Sequence, residues 1–191
     1  MILALDSSSS QGSVALVENG VTVREITIAT PRGRGGRLFT ALEEILKDNP
    51  SLERVIVGTG PGSYNGIRAA ISVGWGISAA RNIPLSGVSS LLGLSTGSYC
   101  AIGDARRSQF YFALVESGRF LVEPVLLEAE ELHERLAANT HPIYASDQLP
   151  AVPSAEVRHA SAALLATSSS TGPAEPIYLK PPFITAPSKL P

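Results

Sequence analysis

The chain repeats itself without a gap at an offset of 98 residues: DSSSSQGSVALVENG at 6–20 lies over DARRSQFYFALVESG at 104–118. Asp6 falls on Asp104, Ser10 on Ser108, Gln11 on Gln109, Ala15–Glu18 on Ala113–Glu116, and Gly20 on Gly118. Each copy reads as an apolar strand, a turn opened by an aspartate, a second strand, then Asn-Gly or Ser-Gly closing a hairpin to a third strand. In 191 residues such a duplication predicts two tandem α/β lobes, 1–97 and 98–191, of mixed sheets flanked by helices.

The pattern along the chain fills in this outline. Strands are predicted at 2–6, 13–18 and 21–28, a helix with Leu38, Leu42, Ile45 and Leu46 on its apolar face, a strand at 55–58, a helix at 65–81, a strand at 85–88 and a short helix at 89–96. The second copy predicts strands near 99–103, 109–115 and 119–127, a helix over 129–138, a strand at 142–145 and one short helix at 159–167. Residues 146–158 read as a loop. The Ser/Thr/Pro-rich stretch 167–176 is expected to be mobile, which leaves the second lobe reduced.

The segment GTGPGSYNGIR at 58–68 joins the predicted strand RVIVG to the helix that follows. Glycines at 58, 60, 62 and 66 allow positive φ and close backbone approach, so the loop suits an anion, a partner's backbone or a plain strand-to-helix turn. It lacks the Lys-Ser/Thr pair of a Walker loop, and it does not match GxGxxG with a distant acidic residue.

The aspartate-bearing meanders resemble the superfamily of actin, hexokinase and the heat-shock ATPases, which implies ribonuclease H-like lobes whose turns face phosphates across a cleft. MILALDSSSSQGSVALVENG, VIVGTGPGSYNGIRAAISVGWGISAARNIPLSGVSSL, AIGDARRSQFYFAL and PIYLK resemble, more narrowly, the TsaB family of tRNA threonylcarbamoyladenosine biosynthesis proteins. The resemblance implies a non-catalytic, cytoplasmic accessory subunit. Its partners would be a metal-bearing TsaD-like paralogue, a TsaE-like ATPase and a second copy of itself, with tRNA reached only indirectly. It implies no intrinsic cofactor, ATP or ADP being expected at a shared interface lined by Asp6, Ser7, Ser8, Gly60, Gly62, Ser63 and Arg106.

The predicted helix at 65–81 carries Ala70, Gly74 and Ser78 every four residues, so small side chains share one face. That face packs either on the chain's own sheet or on another molecule. The family resemblance favours the latter and makes Phe39, Asn65, Arg68, Ala70, Ile71, Gly74, Trp75 and Ser78 the expected interface. The sequence departs from the family at three places: GGR precedes Leu38 where a His-Ser-Glu-like segment is usual, Asn65 replaces threonine, and Lys180 replaces arginine. Lysine cannot supply a bidentate contact.

Other activities find less support in the residues. Asp6, Ser7 and Ser8 form a turn able either to offer hydroxyls and amides to phosphate or hydrated magnesium, or to cap itself. The second turn bears Arg106 and Arg107 where an ATPase needs small residues, and only Gly172 lies beyond Gly118 to build an adenosine pocket. A stand-alone ATPase or small-molecule kinase is therefore the alternative. His133, His141 and His159 are scattered and do not reproduce an HxxxH metal pair, and Cys100 is the single cysteine. With net charge −2, the nearest basic patch is Arg32, Arg34 and Arg37 in a glycine-rich connection. MILALD reaches a charge too early for a signal peptide, and no apolar run is long enough to span a membrane.

Overall fold

A computed structural model of the chain describes residues 1–29 and 36–179. Arg32, Arg34 and Lys180 lie outside the described residues. The first lobe runs β1 (Ile2–Asp6), β2 (Gln11–Glu18), β3 (Val21–Ala29), α1 (Gly36–Leu46), β4 (Arg54–Gly58), α2 (Tyr64–Arg81) and β5 (Leu85–Val88), closed by a 3-10 turn at Ser90–Gly93. The second runs β6 (Tyr99–Asp104), β7 (Gln109–Glu116), β8 (Arg119–Glu128), α3 (Ala129–Ala137), β9 (Ile143–Ala145) and β10 (Glu156–Val157), followed by α4 (Ala162–Ala166).

Both sheets have the same order, β3-β2-β1-β4-β5 and β8-β7-β6-β9-β10, with antiparallel meanders and parallel β1–β4, β4–β5, β6–β9 and β9–β10 pairs. The duplication expected from the repeat is thus present strand for strand. The second lobe is the reduced one: where α2 links β4 to β5, residues 146–155 link β9 to β10 without a helix. The copies also differ in register. Asp6 pairs with Ser13, but Asp104 pairs with Phe110 rather than the Tyr111 that a strict offset would place there, so the second hairpin is one residue tighter. Arg106, Arg107 and Ser108 turn that hairpin through consecutive positive φ values of 66°, 58° and 60°.

The strands alternate in what they bury. Leu3, Leu5, Val14, Leu16, Val55 and Val57 face α1 and α2, while Ala4, Ala15, Val17 and Ile56 face the other lobe. In the second sheet Cys100, Ile102, Phe110 and Phe112 share a core with Leu132 of α3, and Tyr99, Ala101, Tyr111, Ala113 and Val115 look back at the first lobe. Each fully buried Leu, Val or Ile contributes on the order of 2 kcal/mol. Helix α1 places Leu38, Ala41, Leu42 and Ile45 on its sheet-facing stripe, at helical spacing.

The chain does not stay in the second lobe. α4 packs on β1, β2 and β4 and joins the core between the sheets through Ala162, Ala163, Leu165 and Ala166. Beyond it, Gly172 exchanges two backbone hydrogen bonds of 2.8 Å with Gly87 of β5, and the Ile177 amide donates to the Thr59 carbonyl at 2.8 Å. The expectation of a mobile stretch at 167–176 is therefore corrected: main-chain pairing straps part of it to the first sheet, and such bonds do not depend on side-chain hydrophobicity. Among the described residues, no helix is long and apolar enough to cross a membrane, and no three His, Cys, Asp or Glu side chains cluster as metal ligands.

Candidate functional site

Two regions gather the residues singled out in the sequence. The first is the junction of the β1–β2 turn with the loop after β4. Asp6, at the end of β1, is fully buried, and both its oxygens are used. Oδ1 accepts from the Ser8 amide at 2.9 Å and the Ser8 hydroxyl at 2.8 Å, and Oδ2 accepts from the Ser90 hydroxyl at 2.5 Å. Ser90 Oγ in turn accepts from the Gly60 amide at 2.9 Å. Burial raises the Asp6 carboxyl above its ordinary value, outweighing the lowering by the Ser90 and Ser8 donors and by His159.

The two loops lie on one another. Ser63 donates its amide to the Ser8 carbonyl at 2.6 Å, and a Cβ on Gly62 would overlap that carbonyl, so glycine is required where the backbones touch. Ser63 then caps α2, its hydroxyl accepting from the Gly66 amide at 3.3 Å. Further groups from 147–162 reach the same turn and strand. The Ser10 amide donates to Asp147 Oδ1 at 3.1 Å, Ser9 Oγ lies 3.0 Å from His159 Nδ1, and Ser13 Oγ accepts from the Ala162 amide at 2.7 Å. The structure thus brings Asp6, Ser7, Ser8, Gly60, Gly62 and Ser63 together, with Ser7 and Ser8 buried. Arg106 sits at the tip of the second hairpin, where Asp104 Oδ1 accepts its amide at 2.6 Å. Ser90, Asp147 and His159 carry no local motif, and sequence reading missed them.

The second region is an apolar groove of about 720 Å³ between α1 and α2, lined by Phe39, Leu42, Glu43, Leu46, Ser72, Val73, Gly76 and Ile77. Phe39 and Trp75 are each 58% exposed, well above what core aromatics show. The expected small-residue face is corrected. Ala70, Ile71, Gly74 and Ser78 are buried against the chain's own sheet: a Cβ on Gly74 would stand 2.6 Å from Val57 Cγ1 and 3.1 Å from Leu85 Cδ1, and Ser78 Oγ donates to the Ile83 carbonyl at 2.6 Å. The glycine brings α2 close to β4 and β5, and the free face is the opposite one. Asn65 and Arg68 are exposed near the N-terminus of α2. Of the groove's lining, the apolar periodicity of Leu42 and Leu46 was legible in the sequence, and Phe39 was expected at an interface from the family resemblance.

Paired sheets of identical order, with their hairpin turns and the intervening core between them, define a duplicated actin-like α/β protein. The model of a family described as TsaD, tRNA N6-adenosine threonylcarbamoyltransferase, matches residues 37–144, more than half of the chain. The chain belongs to this family, and within it to the TsaB proteins. It is 30% identical over 135 residues to a tRNA threonylcarbamoyladenosine biosynthesis protein TsaB of Bacillus subtilis, covering 65% of this chain and 59% of that one. It is 30% identical over 152 residues to the Escherichia coli protein of the same name, covering 71% and 65%. The chain therefore matches less than two thirds of either relative's length.

Among solved structures, a Pseudomonas aeruginosa protein described as uncharacterized with similarity to peptidase YEAZ superposes with TM-score 0.73 at 23% identity, over 94% of this chain and 99% of that chain. It supports the fold. YeaZ from Pseudomonas aeruginosa superposes with TM-score 0.59 at 27% identity, over 67% of each chain.

Proposed function

We propose that the protein is a non-catalytic accessory subunit in tRNA threonylcarbamoyladenosine biosynthesis, which docks its α1–α2 groove on a metal-bearing TsaD-like paralogue and holds that subunit competent to transfer threonylcarbamoyl to adenosine. The groove carries the reading: Phe39, 58% exposed, lines an apolar channel with Leu42, Leu46, Val73 and Ile77, and an exposed aromatic in such a channel is the arrangement that supplies anchors in protein interfaces. The relatives' names supply the pathway. The internal commitment of the Asp6 turn supports a role without chemistry of its own, since Ser8, Ser9 and Ser10 already bond to protein groups. Nucleotide would then belong to the shared interface, where a TsaE-like ATPase also joins, and the same groove serves self-association when the paralogue is absent.

Light scattering on a sizing column tests this, with the chain alone and mixed with the paralogue from the same organism, with and without ATP. A one-to-one complex that Phe39→Ala weakens supports the reading. Separate elution under every condition overturns it. Calorimetric ATP binding by the isolated chain, abolished by Asp6→Ala, would instead favour a stand-alone ATPase or kinase.

A further inference from the structure

We propose that Tyr64, Tyr178 and Arg68 form a stacking platform for an unpaired base of single-stranded RNA, an inference that rests on the tRNA-modification role above. Tyr64 opens α2 and Tyr178 ends the C-terminal strap, and their rings stack with centroids 5.4 Å apart at 25°. Both remain open to solvent, 53% and 46% exposed. Neither ring hangs on a loose segment. Tyr64 lies in the first turn of an 18-residue helix, and Tyr178 follows directly on Ile177, whose amide is bonded to Thr59. A surface ordered in advance loses little side-chain freedom on binding.

Arg68 adds charge to the same patch. Its Cζ lies 5.2 Å from the Tyr64 ring centroid, and its Nη1 donates to Tyr64 Oη at 3.1 Å. No carboxylate pairs with Arg68 among the described residues, and the first turn of α2 carries no acidic residue. A phosphate can therefore approach the guanidinium without displacing an anion. Aromatic faces beside an arginine are the chemistry by which single strands bind, each base stacking while the backbone meets the cation. A duplex, by contrast, needs a track of cations that a chain of net charge −2 does not supply. The patch lies N-terminal to the groove on α2, whose lining begins at Ser72, eight residues beyond Tyr64 and about 12 Å along the helix axis.

The test is fluorescence anisotropy of the isolated chain with a labelled tRNA transcript containing an unpaired anticodon loop, against blunt double-stranded RNA of the same length. We expect binding to the tRNA that Tyr64→Ala and Tyr178→Ala each weaken about tenfold and that Tyr64→Phe and Tyr178→Phe retain. Arg68→Gln should reduce the dependence of log affinity on log salt by about one, and Arg68→Lys should restore it. Thermal melts establish that the variants fold. No RNA binding, equal binding of the duplex, or alanine variants of unchanged affinity would overturn the proposal. So would loss of the paralogue complex on Tyr64→Ala with RNA affinity unchanged, which would make the patch a protein contact. RNA is titrated into the isolated chain, whereas the accessory role is read from complex formation, so each can fail without the other.

Discussion

The carboxylate of Asp6 and the hydroxyl of Ser90 meet at 2.5 Å, joining the end of the first strand to a turn 84 residues away. Ser90 also accepts the Gly60 amide, so Ser90→Ala strands two buried groups at once. We expect a loss of about 3 kcal/mol, read as a lower midpoint in urea unfolding. A midpoint within error of wild type would show the junction to be dispensable.

Burial holds the Asp6 carboxyl above its ordinary 3.8. Above that pH the unfolded chain releases a proton that the folded chain keeps, so this group makes folding less favourable as pH rises toward its folded value. Asp6→Asn removes the dependence. Wild-type stability minus that of Asp6→Asn, followed from about pH 4 to about pH 7, should therefore decline; a rising difference would mean the folded carboxyl is more acidic than the unfolded one.

The two glycines of α2 should answer mutation in opposite ways. Gly74→Ala forces a methyl to within 2.6 Å of Val57 and should destabilise the fold by about 1–3 kcal/mol. Gly76→Ala meets nothing within 4 Å and should stabilise it by up to about 1 kcal/mol, because alanine is the better helix former. Differential scanning calorimetry distinguishes the two, and equal shifts would contradict the assignment of faces.

At the groove, Phe39→Ala should weaken paralogue binding by about 2 kcal/mol, roughly thirtyfold, while the melting temperature stays within a degree or two, since the ring is largely exposed. Isothermal titration calorimetry gives the affinity and a melt gives the control. Unchanged affinity would place docking elsewhere.

Cys100 is buried in β6, and burial pushes its thiol up to about 12. The folded protein should therefore resist iodoacetamide at neutral pH and become labelled only with unfolding, because the thiolate is the reacting species. Rapid labelling without denaturant would reveal an opening of the second sheet.

The repeat made the two meanders legible because Asn-Gly and Ser-Gly turns and apolar runs are local signals. Helix α1 was legible for the same reason, Leu38, Leu42 and Ile45 recurring at helical spacing. The register slip between Asp6–Ser13 and Asp104–Phe110 was not, since residue identity matches at offset 98 on both sides of it. Nor could the small residues of α2 declare their partner: Ala70, Gly74 and Ser78 signal close approach, and only the third dimension says that β4 and β5 are what approaches. The same limit hid the destination of Ala162–Ala166, five residues too few to show a periodicity, and the strap at Gly172 and Ile177, which is held by backbone groups every residue shares. The Asp6 site was half legible, its own turn being local and Ser90 remote.

The placement of α4 has a consequence for how the chain comes into being. The ribosome completes the first lobe's strands early, yet the inner face formed by Ala4, Ala15, Val17 and Ile56 is covered only once residues 99–115 and then 160–166 have emerged. Until those residues have left the ribosome, the nascent lobe presents an apolar sheet to its surroundings, the kind of surface that recruits chaperones. A truncation that stops before Ala160 should leave the meanders intact in sequence and still yield an insoluble product, because α4 is what finishes the first half.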